Sequence, residues 1–203
     1  LSRKDKIKEV SLPEVLSGDL AYLCGVLSGD GCIVSYQNQI FCVGDPKNEK
    51  EFYDDIICPI IKNLFNLKVK ARFFKEAGTY GIRFDSKAIV TFFTDIIGLP
   101  KGKKYANLKI PSLFKKDKNL LIHYLSGLFD TDFGFSLGKN MFGEIKYPKI
   151  CFTSKSKKYC TEIHRALMGL GVNSGKVRRC NTFNKRSKRR YYWYRFNICN
   201  RKE

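Results

Sequence analysis

Leu20-Ala21-Tyr22-Leu23-Cys24-Gly25-Val26-Leu27-Ser28-Gly29-Asp30-Gly31 returns in altered form as Ile122-His123-Tyr124-Leu125-Ser126-Gly127-Leu128-Phe129-Asp130-Thr131-Asp132-Phe133-Gly134. Aligning Leu23 with Leu125 brings Gly25 onto Gly127 and Asp30 onto Asp132, 102 residues later in a chain of 203. A separation of half the chain is the mark of a unit duplicated in tandem. On a helix, Leu23, Val26 and Leu27 form a buried face, while Gly25 and Gly29 leave a flat strip that a second helix can approach closely. Gly127 and Thr131 repeat that strip. Two helices crossing along these strips bring Asp30 and Asp132 together at their C-terminal ends. Each carboxylate then faces the negative end of a helix dipole and repels the other, a penalty on the order of a few kcal/mol that a divalent cation removes. Carboxylate oxygens without a nearby histidine or thiol pair select Mg²⁺ or a similar hard ion over zinc.

The segments after each motif run in parallel. Short β-prone runs come first, Cys32 to Tyr36 and Gln39 to Val43 in one half, Phe135 to Leu137 and Tyr147 to Thr153 in the other. Helical periodicity follows. Lys47 to Phe65 carries Phe52, Ile56, Ile60 and Leu64 on one face, and Lys157 to Leu170 carries Ile163, Leu167 and Leu170. Two further strands then close each half, Lys68 to Phe74 with Tyr80 to Phe84, and Lys176 to Cys180 with Arg190 to Cys199; the first half adds a short apolar helix, Ala88 to Ile97. The expected division is a first repeat over residues 1–98, a linker over 99–111 dense in Gly, Pro and Lys, and a second repeat over 112–203.

Composition narrows the class of function. With 43% hydrophobic residues the chain has enough apolar surface to fold compactly, which excludes a disordered tail. Lys and Arg number 38 against 19 Asp and Glu, a formal charge of +19. Such an excess costs self-repulsion on folding and is offset by a polyanion, nucleic acid before a membrane surface. No apolar run approaches the roughly 20 residues of a membrane helix, and none follows the basic start, so no membrane partner and no export are expected, and the cytoplasm or an organelle is the expected location. The eight cysteines are scattered through apolar stretches without a C-x-x-C pair, which favours reduced, buried thiols, with a Cys32–Cys42 bridge left open. His123 and His164 each sit in an apolar helical stretch without a second ligand at metal spacing and are read as structural.

Both motif copies resemble the LAGLIDADG motif, and the order of elements along nearly the whole chain is similar to that of the single-chain, two-repeat LAGLIDADG homing endonucleases. The resemblance implies an α+β fold of two pseudo-symmetric αββαββα repeats, whose antiparallel sheets form a DNA-binding saddle. It implies a metal-dependent, intron-encoded nuclease that hydrolyses both strands of a long asymmetric duplex as a monomer and leaves 3′ overhangs. Asp30 and Asp132 become the catalytic metal ligands, with the Gly29 and Thr131 carbonyls adding metal contacts and Mg²⁺ or Mn²⁺ as the ion. Asp130, which aligns with Ser28, falls at a position that caps or packs in the family. Phe133 stands where the first copy has Gly31, which leaves the turn after Asp132 open. The resemblance also asks for a basic residue in the pocket, best matched by Lys101 and Lys103, and for polar residues at the second strand ends, Asp45 and Ser154. Lys155 is an equal basic candidate.

Alternation in the strands separates a core face from a basic one: Lys68, Lys70 and Arg72 oppose Val69, Ala71 and Phe73, while Tyr191, Trp193, Arg195 and Asn197 oppose Tyr192, Tyr194, Phe196 and Ile198. A basic hairpin from Arg178 and Arg179 through Lys185, Arg186, Lys188, Arg189 and Arg190 extends the phosphate-contacting surface. Gln37, Gln39, Arg72, Arg83, Lys149, Arg179 and Arg195 have side chains suited to base edges. Members of the same family also serve as maturases on their own intron RNA, and a non-cleaving DNA-binding protein is a third reading. Retention of both acids favours cleavage. The chain ends lack the groups that protein splicing requires, which disfavours an intein.

Overall fold

The computed structural model describes residues 1–34, 36–139, 142–184 and 187–198, so Lys185, Arg186 and Cys199 lie outside the described residues. The chain divides into two compact units, Leu1–Lys104 with Pro111–Thr131, and Tyr105–Ile110 with Asp132–Glu203. Each unit carries one four-stranded antiparallel sheet. The first has the order β1-β2-β4-β3, from β1 (Gly31–Ile33), β2 (Gln39–Gly44), β3 (Arg72–Phe74) and β4 (Thr79–Asp85). The second repeats that order as β5-β6-β8-β7, from β5 (Phe133–Lys139), β6 (Ile145–Ser154), β7 (Arg178–Asn184) and β8 (Arg189–Ile198). The twofold repetition expected from the motif pair is therefore present in the sheets.

Around the first sheet lie α1 (Arg3–Ile7), α2 (Gly18–Gly29), α3 (Cys58–Phe65) and α4 (Lys87–Thr91), followed by α5 (Ser112–Lys115) and α6 (Lys118–Asp132). Ser17 starts α2 by accepting a hydrogen bond from the Leu20 amide at 3.2 Å. From there the helix is apolar on every side, with Leu20, Ala21, Leu23, Cys24, Val26 and Leu27 all buried, as a central helix must be. The packing boundary differs from the repeat boundary of the sequence, because α6 up to Thr131 packs with the first unit.

Of the helix expected over Lys47 to Phe65, helical backbone runs from Lys50 onward, its buried stripe is Tyr53, Ile57, Ile61 and Phe65, and Ile56 is 42% exposed. The chain 52–65 holds two apolar stripes one residue apart, and the one ending in the larger rings turns inward. A π-helical stretch, Phe52–Ile57, leads into α3, and a second, Phe92–Ile97, continues α4. There Phe65 meets Phe93 and Phe92 edge to face at 5.5 and 6.0 Å, and each such burial is worth about 1.5–3 kcal/mol. Asp5 fastens the N-terminal helix to this core: fully buried, it accepts hydrogen bonds from Ser2 Oγ at 2.6 Å, Ser86 Oγ at 2.7 Å and the Ala88 amide at 3.1 Å.

In the second unit α7 (Lys157–Gly169) lies on β6 and β8 and buries Tyr159, Cys160, Ile163 and Leu167, with Leu170 only half-buried at its end. Phe152 is the hub, with Phe133, Phe196 and Tyr159 at 4.9, 5.6 and 5.9 Å. The first strand-like run, Lys68 to Phe74, shortens to β3, so Lys68 and Lys70 precede the strand as exposed loop residues. The seven described cysteines are all free, and register sets Cys32 opposite Phe41 and Cys42 opposite Gly31, on opposite faces of the sheet. No helix among the described residues is long and apolar enough to cross a membrane.

Candidate active site and nucleic-acid interface

The motif acids follow the glycine strips at the C-terminal ends of α2 and α6. Within the first unit these helices touch backbone to backbone. A Cβ on Gly25 would stand 2.0 Å from the Tyr124 carbonyl oxygen, and one on Gly127 would stand 2.1 Å from that of Tyr22. Of the small-residue strips read in the sequence, Gly25 and Gly127 make the contact. Tyr22 crosses the same seam, donating from its hydroxyl to Asp130 Oδ2 at 2.5 Å, and burial together with that carboxylate pushes the phenol well above its ordinary range. Asp130 is therefore engaged between helices, and its counterpart Ser28 is buried and donates to the Cys24 carbonyl at 2.8 Å.

Asp30 caps α2, its amide bonded to the Val26 carbonyl at 3.1 Å. The side chain is half-buried. Burial raises the carboxyl above its usual range, and the Lys104 ammonium opposes that rise. Lys104 donates to the carbonyl of Gly29 and, at 2.9 Å, to that of Gly31, the residues on either side of Asp30. Lys101 and Lys103 are exposed, while the Gly102 amide pins their loop to the Ile33 carbonyl at 2.7 Å. The cation drawn to Asp30 is the third lysine of the run, which sequence reasoning passed over. Its signal was present in the run Lys101-Gly102-Lys103-Lys104, but composition does not say which lysine a turn aims inward.

A second carboxylate was also missed. Glu49 lies over Gly44, accepting the Asp45 amide at 2.9 Å, and burial, with lesser contributions from Asp30 and Asp45, raises it. Asp45 follows β2 directly and closes a turn, its oxygens taking the Lys47 amide at 2.9 Å and the Asn48 side-chain amide at 3.0 Å. Beneath them Cys42 and Tyr53 meet at 3.7 Å, and burial pushes the Cys42 thiol up to about 12. Among the described residues, no cluster of three or more His, Cys, Asp or Glu is arranged to hold a metal.

In the second repeat Thr131 turns its hydroxyl back to the Gly127 and Leu128 carbonyls, both at 3.2 Å, leaving its own carbonyl to the helix end where Asp132 follows, half-buried. Ser154 ends β6 and accepts the Ser156 amide at 3.2 Å; Lys155 is exposed and lies over the Tyr105 ring at 4.9 Å. His123 lies against Gly18, and the His164 ring packs 5.3 Å from Phe196.

Strand register sorts the expected nucleic-acid contacts by face. In the first sheet Gln39, Phe41, Arg72 and Arg83 share the face opposite Ile40, Cys42 and Ile82, with the Arg72 guanidinium 5.0 Å over Phe74. Gln37 is exposed in the β1–β2 turn. In the second sheet Lys149, Tyr191, Trp193 and Arg195 lie on the face away from Phe152 and Phe196. Arg178 joins them opposite Arg195, whereas Arg179 falls on the other face, its guanidinium 4.0 Å over Tyr192. Lys188, Arg189 and Arg190 are exposed at the hairpin tip.

Residues 119–203 match the family model of the LAGLIDADG-like domain. No curated protein matches the chain. Among solved structures, I-DmoI in complex with DNA and Ca is similar with a TM-score of 0.54 and 18% identity over 90% of this chain and 83% of that one. I-DmoI in complex with DNA and Mn gives 0.53 and 18% over 90% and 89%. The homing endonuclease I-WcaI bound to its DNA recognition sequence gives 0.50 and 18% over 98% and 83%. At these identities the likeness is one of fold.

Proposed function

We propose, from a chain that is a LAGLIDADG-like domain over residues 119–203 and takes the homing-endonuclease fold, that this protein is a site-specific, metal-dependent DNA endonuclease. The observation that supports it most is the end of α2. A half-buried carboxylate, raised by burial, stands between two carbonyls already turned toward a cation. The Lys104 ammonium stands in there for a positive charge, so the donors fit a hard divalent ion: the Asp30 carboxylate and Gly29 carbonyl in one repeat, the Asp132 carboxylate and Thr131 carbonyl in the other. When bound, Mg²⁺ or Mn²⁺ supplies Lewis acidity at the scissile phosphate and lowers the pKa of a bound water.

The chain's own residues do the rest. Asp30 and Asp132 would hold the ion, the α2–α6 glycine seam keeps their helices at backbone distance, and Lys104, tied beside Asp30, would add positive charge next to the scissile phosphate. The outward strand faces track the duplex through phosphates and read it through base edges. Two sheets that differ in sequence read an asymmetric site, which the protein cuts as a monomer, leaving 3′ overhangs.

The test is cleavage of a randomised duplex library with Mg²⁺, with Ca²⁺ as the binding control, followed by sequencing of the ends. A single long site is expected. Asp30→Asn and Asp132→Asn should each abolish cutting while duplex affinity stays within about threefold, since neither carboxylate neutralises a phosphate. Cutting retained in both variants would overturn the site, and tight binding to a structured RNA without any cutting would place the protein with the maturases.

A further inference from the structure

We infer that Arg83 reads a guanine of the bound duplex and that Asp85, through Gln39, is the residue that makes it selective. The inference rests on the proposed DNA-binding role and goes beyond it by naming one base and the side chains that choose it.

Gln39 pairs with Asp85 across β2 and β4, and Phe41 pairs with Arg83, so Gln39, Asp85 and Arg83 stand on one face of the sheet, away from the core. Three side chains there form a chain of two hydrogen bonds. Gln39 Nε2 donates to Asp85 Oδ1 at 2.8 Å, and Arg83 Nε donates to Gln39 Oε1 at 2.8 Å. Asp85, which only accepts, dictates that the nitrogen of the Gln39 amide turns toward it and the oxygen toward Arg83. That oxygen then takes the Nε–H of Arg83, and the exposed guanidinium is left with its two terminal amino groups as the outward fork.

A fork of two parallel donors matches the O6 and N7 acceptors of guanine. It mismatches adenine, where a donor sits beside N7, and both pyrimidines. Because the fork is oriented before binding, less side-chain freedom is lost on contact.

The surroundings say where the backbone goes. Arg83 and Asp85 also line a groove of about 570 Å³ with Lys8, Lys62, Lys68 and Lys70, and Lys8 is fixed there by its bond to the Asp85 carbonyl at 3.0 Å. With Glu9 and Asp85 as the acids of its lining, the groove keeps a net positive charge that suits the phosphates flanking the base being read. Asp85 touches no base and acts as a positioning residue; Arg83 is the contact.

The experiment selects bound sequences from a randomised duplex pool with the full chain in Ca²⁺, for wild type, Arg83→Lys, Asp85→Ala and Asp85→Asn. Wild type should show guanine at one step. Arg83→Lys keeps the charge but loses the fork, and should cut that preference about tenfold at this step and at no other. Asp85→Ala should relax the same step and no other, and Asp85→Asn, which still offers an oxygen to Gln39, should restore it. A base profile unchanged by Arg83→Lys, or an Asp85→Ala effect spread evenly over all steps, would overturn the inference while leaving the endonuclease reading intact. A wild-type chain that selects no sequence would sink both.

Discussion

At the scale of single residues, Lys104 and Asp5 show how a side chain's neighbours decide its work. Lys104 is tied to the carbonyls flanking Asp30 and lowers that carboxyl against the rise imposed by burial. Lys104→Met should therefore slow cutting by about 10² in single-turnover assays, the scale of losing one preorganised charge, with Lys104→Arg intermediate. Lys101→Met and Lys103→Met should leave the rate within twofold. Asp5 is the opposite case: burial pushes its carboxyl up, but hydrogen bonds from Ser2, Ser86 and the Ala88 amide outweigh it and hold the group below the usual range. A lowered folded pKa contributes stability above the unfolded value and loses it as pH falls through the folded one. Asp5→Asn should cost about 2 kcal/mol at pH 7 by urea unfolding, and the gap to wild type should close below about pH 4. Asp30 stood out in the sequence because it repeats as Asp132. Neither Lys104 nor Asp5 repeats: Lys104 meets carbonyls some 75 residues earlier, and Asp5, although Ser2 caps it locally, is buried by its bonds to Ser86 and Ala88, which no local pattern marks.

Elements carry the next level of constraint. Gly25 and Gly127 face each other's helix at carbonyl distance, so an alanine at either must part the two helices. Overpacking of this kind costs about 3 kcal/mol, and the better helix propensity of alanine returns about 1, leaving about 2 kcal/mol, or roughly 6 °C in Tm by calorimetry. The motif told this part of the structure in advance, because small residues four apart have few uses besides close approach. Periodicity was less decisive in 52–65, where Phe52, Ile56, Ile60 and Leu64 make as good a stripe as Tyr53, Ile57, Ile61 and Phe65. The choice there belongs to ring size and to the partner beneath, Cys42, which only the folded sheet supplies. Strand parity was legible at the end of β8, where Phe196 is buried between Arg195 and Asn197; it failed at Tyr191 and Tyr192, which are equally exposed, and for Arg178 and Arg179, where adjacent arginines leave the pairing to decide which faces outward.

For the whole molecule, charge is the dominant property. An excess of +19 with basic side chains on the outward strand faces predicts that duplex affinity falls steeply with salt. For about eight neutralised phosphates the slope of log K against log salt should be about −7, and a flat dependence in a filter-binding titration would remove the strand faces from the interface. The division into units has an engineering consequence that the repeat pattern conceals. Because α6 as far as Thr131 packs with the first unit, a chimera joined in the 99–111 linker would separate α2 from the helix whose carbonyls press against Gly25. A junction at Asp132 keeps that seam parental. The second sheet can then be grafted from a donor without renegotiating the fit between the helices, provided the donor's equivalent of Tyr105–Ile110, which packs with that unit, travels with it.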